Sequence, residues 1–131
     1  MNETVLFDSW AWWEILEDTP TGRALAERYL QGRRVRVFAV DYALAEVAAK
    51  LARIDRTEDI EAALDVIATA ETLVITREIA TLAATLQVEL RRANGRASVG
   101  DAVMLAAARL QNAVLISGDS CYAGQRDVRA S

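Results

Sequence analysis

The chain has 131 residues, a formal net charge of −4 and an apolar content of 53%. This length suits one domain, spanning residues 1–131, that can bury a core without staples. The sequence has no histidine, which excludes Ser-His-Asp and Cys-His catalysis and His-ligated zinc. The single cysteine, Cys121, excludes an internal disulfide and a thiolate zinc site within one chain. Any bound metal must therefore lie among oxygen ligands, which favour hard cations such as Mg²⁺ or Mn²⁺.

The N-terminal segment is not typical of a secretory leader. Residues 1–7 carry no basic side chain, and the first apolar run stops at Asp8. No stretch approaches the roughly 18 apolar residues of a membrane helix. We therefore expect a cytoplasmic protein with no membrane partner.

Short apolar runs alternate with helical patterns along the chain. The runs predict strands over residues 4–7, 35–40, 73–75 and 113–117, and Val128 is a candidate edge strand. Helical spacing predicts helices over about 10–16, 20–30, 42–54, 58–67, 77–93 and 99–110. The predicted N-caps are Ser9, Asp41, Thr57 and Ser98. The expected fold class is α/β, with a mainly parallel sheet of four to five short strands flanked by helices in three layers.

Four carboxylates are predicted to meet at one edge of this sheet. Asp8 ends the first strand, and Asp119 lies just beyond the fourth. In open parallel sheets, ligands bind at the carboxyl ends of the strands. Glu46 lies in the first two turns of the helix after the second strand, close to the same edge. Asp101 lies in the first turn of its own helix and joins the others if that helix begins at this edge.

Such a cluster points to metal-assisted chemistry. Carboxylates this close repel one another and stay ionised together only when cations neutralise them. A site of this kind suits hydrolysis of phosphodiesters, in which metals activate a water and clamp the phosphate. No histidine is needed.

Each acid also has a purely structural explanation. Asp101 stands three residues after Ser98 and completes a capping-box pattern. Glu46 can pair with Lys50 at i,i+4 on a solvated helix face. Asp8 and Asp119, which follow strands, can be turn residues or helix caps.

Four segments carrying these acids give the sequence a family resemblance. It resembles PIN-domain proteins, and most closely the VapC-type toxins of prokaryotic toxin–antitoxin pairs. The segments are Val5-Leu6-Phe7-Asp8-Ser9, Leu44-Ala45-Glu46-Val47, Ser98-Val99-Gly100-Asp101-Ala102 with the Ala-rich stretch after it, and Leu115-Ile116-Ser117-Gly118-Asp119. Each segment is short, but the ordered set spans nearly the whole chain.

The resemblance implies a PIN-like sandwich and Mg²⁺- or Mn²⁺-dependent endonucleolytic cleavage of RNA. It also implies a homodimer and a small antitoxin partner that blocks the site. On this basis Asp8, Asp101 and Asp119 are the expected direct metal ligands. Glu46 is expected to bind a second metal or orient water, and the Ser9 and Ser117 hydroxyls to support the carboxylates.

Two features depart from the family pattern. The tail after Asp119 has Ser120-Cys121-Tyr122 and a short segment around Val128, where the family has an aromatic residue and a last strand. The first helix carries Trp10, Trp12 and Trp13. We interpret these tryptophans as core or interface residues rather than base-stacking ones, because they fall in an apolar helix.

An acidic pocket needs metal and nearby cations to attract RNA. The candidate phosphate contacts are Arg91, Arg92 and Arg96, which flank Asn94-Gly95 just before Asp101. Further arginines cluster at 33, 34 and 36 and at 53 and 56. For each cluster, a solvated surface is an equally good interpretation.

Three other classes of protein compete with a nuclease. A response-regulator receiver needs an acid after the third strand, where Thr76 stands, and a dehalogenase-like phosphatase needs an acid at Trp10. A non-catalytic PIN-like module for protein binding or RNA tethering stays open, although all four acids are retained.

Overall fold

A computed structural model describes residues 3–32 and 34–130. Residues 1 and 2, which belong to the N-terminal segment assessed for a leader, and Arg33 of the second arginine cluster lie outside this part. The strands are β1 Glu3–Phe7, β2 Val35–Val40, β3 Glu71–Leu73, β4 Val114–Ile116 and β5 Val128–Arg129. The α-helices are α1 Ser9–Leu16, α2 Pro20–Leu25, α3 Asp41–Arg53, α4 Ile60–Ile67, α5 Arg77–Asn94 and α6 Val99–Leu110. A π-helical turn, Ala26–Leu30, continues α2, and 3₁₀ turns cover Thr57–Asp59 and Ser120–Tyr122.

The strands form one sheet in the order β3-β2-β1-β4-β5, and all four pairings are parallel. Helices α1 to α4 pack among themselves, while α5 packs mainly on α6. Right-handed crossovers place these two groups on opposite faces of the sheet. The predicted α/β class, with five short strands flanked by helices, is confirmed. No helix in the described part of the chain is both long and apolar enough to span a bilayer.

The core is centred on β1. Val5, Leu6 and Phe7 are fully buried, as expected for a central strand covered on both faces. Phe7 packs edge-to-face against Trp12 and Tyr29, with ring centroids 5.0 and 5.8 Å apart. On the other face, α6 buries an unbroken apolar run from Ala102 to Ala108 against α5, β1 and β4. These packed layers hold the strand ends that carry the acids.

Some predicted element ends are wrong by a residue or two. The N-cap of α1 is Asp8 and not Ser9, which becomes the first helical residue. Asp41 is likewise the first residue of α3, whose N-cap position, Val40, makes no side-chain bond. Thr57 begins a 3₁₀ turn rather than capping a helix.

The third strand also lies two residues earlier than predicted. Leu73 pairs with Val40, the last residue of β2, so the ladder ends there. The strand is extended in the other direction to Glu71, whose carboxylate forms a two-pronged ion pair with Arg36 at 2.5 and 2.9 Å. Val74 is therefore left 66% exposed.

Candidate metal centre

The acidic edge begins at the end of the central strand. The Asp8 backbone N–H donates to the Ile116 carbonyl at 3.3 Å, which ties the end of β1 to β4. The Asp8 Oδ1 atom accepts from the Ala11 N–H at 2.9 Å and so caps α1. This carboxyl is only 6% exposed. The chain therefore buries an acid at the point where open parallel sheets bind ligands.

Burial and neighbouring charges perturb Asp8 strongly. Its pKa is raised from 3.8 to about 7, chiefly because burial penalises the charged form. Hydrogen bonds from the Ser117 hydroxyl and the Ala11 N–H act in the opposite direction, while the charges of Glu46 and Asp101 raise it further. The pKa of Asp8 is thus affected by the charges of two other predicted site residues, Glu46 and Asp101.

Glu46 is held at this edge by α1. The Ser9 hydroxyl donates to Glu46 Oε1 at 2.5 Å, across 37 residues of sequence. Burial raises the Glu46 pKa, the Ser9 hydrogen bond lowers it, and the Asp101 charge raises it. Lys50, the alternative partner, makes no ion pair with Glu46; its Nζ lies 4.1 Å from the ring centroid of Trp13. The solvated i,i+4 pair is therefore not formed.

Helix α6 begins at the same edge, as the placement of Asp101 required. A Cβ atom built on Gly100 would lie 2.6 Å from Tyr42 Cε1 and 3.3 Å from Glu46 Oε2. The N-terminus of α6 thus contacts α3 closely, and glycine permits this approach. The Tyr122 hydroxyl fixes the turn by donating to the Asp101 carbonyl at 2.8 Å.

The capping-box interpretation of Asp101 is also correct. Its N–H donates to Ser98 Oγ at 3.0 Å, and its Oδ2 accepts from the Ser98 N–H at 2.8 Å. One side chain therefore both closes the end of a helix and faces the acidic edge. The two interpretations, cap and site residue, are compatible.

Asp119 follows β4 and caps the last 3₁₀ turn. Its Oδ1 accepts from the Cys121 N–H at 2.9 Å, and its own N–H donates to Ser117 Oγ at 3.1 Å. Asp101, Asp119 and Cys121 each place one potential ligand atom within 4.8 Å of the other two. The structure thus brings Asp101 and Asp119 together, and links Asp8 and Glu46 to Asp101 through their charges.

Cys121 is the residue that sequence reasoning missed. The single cysteine excludes a thiolate zinc site within one chain, and the tail after Asp119 departs from the family pattern, so neither observation singles out Cys121. Its position two residues after Asp119 was the available signal. The pKa of the buried thiol is raised by burial and by the charges of Asp101 and Asp119, so it stays protonated and adds no negative charge.

The donor set fits a hard divalent cation. Among the described residues, Asp101 and Asp119 have carboxylate oxygens within 4.8 Å of each other, and the charges of Asp8 and Glu46 couple to Asp101. No described basic side chain forms an ion pair with Asp8 or Glu46, so their charges lack a protein counter-ion. Carboxylate oxygens are among the ligands that Mg²⁺ and Mn²⁺ prefer.

Two of the three candidate arginines flank this centre. Arg91, Arg96 and Asp101 line an open cavity of about 400 Å³. Arg96 Nη2 donates to Asp119 Oδ1 and to Ser120 Oγ, both at 2.8 Å. Arg91 Nε donates to the Ala97 carbonyl at 3.0 Å and holds the loop before α6. Arg92 is exposed and does not line the cavity.

The three tryptophans of α1 have separate environments. Trp12 is fully buried in the core. Trp10 packs against Gly118, where a Cβ would lie 2.5 Å from the indole Cε2. Trp13 is half-buried beneath Lys50. The expected core role thus holds for Trp12, while Trp10 and Trp13 line an open groove.

Comparison with known proteins agrees with this architecture. The family model described as PIN domain matches residues 5–123, so the chain belongs to the PIN domain family. This confirms the resemblance drawn from the four segments. No curated protein matches the sequence significantly.

Solved structures show the same fold at low sequence identity. A toxin–antitoxin complex from Klebsiella pneumoniae is 19% identical, with a TM-score of 0.73 and 95% of each chain covered. VapBC2 from Rickettsia felis, bound to a promoter DNA fragment, is 14% identical, with a TM-score of 0.74 and 95% of each chain covered. VapC20 from Mycobacterium tuberculosis, described as a Sarcin-Ricin loop cleaving toxin, is 21% identical, with a TM-score of 0.70, covering 95% of this chain and 98% of that one.

Proposed function

We propose that this protein is a divalent-metal-dependent endoribonuclease and the toxin of a toxin–antitoxin pair. The observation that carries the proposal is the buried Asp8 carboxyl at the end of the central strand, beside the charges of Glu46 and Asp101. Burying acids together is unfavourable unless a cation compensates. The PIN fold and the resemblance to VapC-type toxins support this chemistry.

The proposed metal ligands are Asp8, Asp101 and Asp119, with Glu46 binding a second ion or orienting water. Bound Mg²⁺ or Mn²⁺ would supply an activated water and would neutralise charge on the scissile phosphate. The Ser117 hydroxyl donates to Asp8 while its oxygen accepts from the Asp119 N–H, so it fixes two ligands at once. The Ser9 hydroxyl likewise fixes the carboxylate of Glu46 by donating a hydrogen bond to it.

The arginines offer phosphate contacts next to these acids. Arg96 and Arg91 stand at the cavity beside Asp101, where planar guanidinium groups suit phosphate oxygens. Arg92 would act only at longer range. A net charge of −4 makes such local cations important for attracting RNA.

The structural relatives, several of which are VapBC toxin–antitoxin complexes, support the proposed partners. We propose a small antitoxin protein that covers the acidic edge, and a homodimer of residues 1–131 folded as a single PIN-type domain. A toxin that cuts cellular RNA acts in the cytoplasm.

The test is cleavage of mixed-sequence single-stranded RNA by purified, partner-free protein. We compare Mg²⁺, Mn²⁺ and EDTA, and the Asp101→Asn and Asp8→Asn variants. Asparagine at either position keeps an oxygen that can accept the capping N–H, so the helix ends are preserved. Asp65→Asn, at an exposed site on α4, is the matched control.

We expect metal-dependent cutting that EDTA and both site variants abolish and that Asp65→Asn leaves intact. Cutting that survives in Asp101→Asn would show that this acid is only a cap. No cutting of several RNAs by the folded protein would favour the alternative, a non-catalytic PIN-like module that binds protein or tethers RNA.

A further inference from the structure

An open groove separates α1 from α3. It has a volume of about 550 Å³. We name it the α1–α3 groove and define it by Trp10, Trp13, Tyr42, Glu46, Lys50 and Arg53. Helix α1 supplies one aromatic wall, and α3 supplies a wall of charged residues.

The groove is continuous with the acidic edge. Ser9 and Glu46, which are joined by a hydrogen bond, both line one end of it. Trp10 connects the two regions, because its indole ring packs on Gly118, between Ser117 and Asp119. A polymer bound at the acidic edge therefore has a path into the groove.

Charge along the groove changes sign with distance from the acids. Glu46, Lys50 and Arg53 lie at i, i+4 and i+7 of one helix and so share a face. The two cations extend about 10 Å beyond Glu46 at the helical rise per residue. Neither forms an ion pair with a described acid, so both are available to a phosphate. This arrangement complements a chain that repeats its negative charge.

The aromatic wall suits a nucleobase. Lys50 Nζ lies 4.1 Å from the ring centroid of Trp13, over the ring. The Lys50 side chain is exposed, and a cation–π contact at such a site is worth less than a base–aromatic stack. An incoming base can therefore take the ring face while the ammonium turns to the phosphate. Aromatic surface interleaved with cations is typical of single-strand binding.

We propose that the α1–α3 groove is the subsite for a nucleotide flanking the scissile phosphate of single-stranded RNA. Its base stacks on Trp13, in place of the core or interface role expected from the sequence, because this ring lines the open groove. Lys50 and Arg53 contact its phosphate. This inference rests on the proposed ribonuclease function, since the acidic edge defines where the scissile phosphate lies.

The experiment measures kcat and KM on a short single-stranded RNA with one mapped cut site. A matched set of RNAs carries an abasic ribose at each position around the cut, which removes the base but keeps the phosphates. The variants are Trp13→Ala, Trp13→Phe and Lys50→Met. Val88→Ala and Arg77→Met, which remove one exposed apolar and one exposed cationic group from α5, are controls distant from the groove. Thermal melting of each variant reports its folding.

For wild type, we expect one abasic position to raise KM at least about fivefold. Trp13→Ala should raise KM as much on the intact RNA, with kcat little changed, and should lose sensitivity to that abasic position. Trp13→Phe should recover most of the affinity, and Lys50→Met should raise KM about threefold. The α5 controls should match wild type.

An unchanged KM in a cutting Trp13→Ala protein overturns the groove proposal and leaves the proposed nuclease function standing. If the wild-type protein does not cut, the proposed ribonuclease function is wrong. The groove proposal is then tested separately by measuring binding of the same RNAs. Trp13-dependent, base-dependent binding then supports it, and binding indifferent to Trp13 overturns it.

Discussion

The Ser9 hydroxyl donates a 2.5 Å hydrogen bond to Glu46 Oε1 and thereby joins the start of α1 to the middle of α3. Glu46 makes no other described hydrogen bond or ion pair, so this contact sets the direction of its carboxylate. It also opposes the effect of burial on the pKa of Glu46.

Removal of the Ser9 hydroxyl tests whether the direction of the Glu46 carboxylate matters for RNA cleavage. Ser9→Ala should raise the Glu46 pKa further and reduce RNA cleavage about tenfold or more, as for other groups that support ligands. The free energy of unfolding should change by only about 1 kcal/mol. Ser9→Thr keeps the hydroxyl and should restore most activity. Equal losses in both variants would mean that packing, not the hydrogen bond, is responsible.

The buried Asp8 makes metal-free stability depend on pH. Its folded pKa of about 7 lies above the ordinary 3.8, so the unfolded chain releases this proton first as pH rises. Between pH 4 and pH 7 Asp8 therefore costs stability, by about 4 kcal/mol in all. Asp8→Asn should remove this cost to the free energy of unfolding. In EDTA the variant should therefore melt at a higher temperature than wild type at pH 7.5, but not at pH 4.

Added Mn²⁺ should reverse that order. It should raise the melting temperature of wild type at pH 7.5, because binding to the native state alone stabilises it. Asp8→Asn should respond much less. A variant that melts lower than wild type in EDTA at pH 7.5 would show that the ionised carboxyl is already compensated within the protein.

Arg96 and Arg92 differ in position and should differ in effect. Arg96→Ala should raise KM for RNA several-fold and reduce the salt dependence of binding by about one phosphate contact. Arg92→Ala should have the smaller effect, because Arg92 does not line the cavity beside Asp101. Binding titrations from 50 to 300 mM salt provide the measurement. Equal effects would mean that general charge, rather than the cavity, attracts RNA.

The close approach of α6 to α3 should be sensitive to one methyl group. Gly100→Ala places a Cβ 2.6 Å from Tyr42 Cε1, and relief of this overlap must move α6 or the ring. We expect a loss of about 1–3 kcal/mol in the free energy of unfolding. Adding Tyr42→Ala should recover part of the loss by removing the overlap. Denaturant unfolding checks both, and an additive double variant would contradict the stated clash.

The order of elements and the sheet edge could be predicted because they depend on local patterns. Asp8 and Asp119 follow apolar strands, and parallel strands end at a common edge. The position of the α1 cap could not be fixed, since Asp8 and Ser9 are adjacent and both residue types cap helices. The predicted bounds of β3 were wrong by two residues because they depend on pairing with β2, which is a long-range contact.

The assembly of the site required contacts that no local pattern encodes. The Ser9–Glu46 hydrogen bond spans 37 residues, and Tyr122 anchors the Asp101 carbonyl across 21. The approach of Gly100 to Tyr42 is also long-range. Cys121 was missed because its proximity to Asp101 arises only after folding.

The three aspartates of the centre all hold helix ends, whereas Glu46 holds none. Asp8 caps α1, Asp101 completes the capping box of α6 and Asp119 caps the last 3₁₀ turn. At Asp101 and Asp119, drift towards small apolar residues is therefore penalised through folding even after selection for activity has ceased. At Asp8 the cost of the buried charge exceeds the value of the cap. Glu46 has no such protection. In an inactive descendant of this chain we expect Asp8 and Glu46 to be lost first, while Asp101 and Asp119 persist as a remnant of the former enzyme.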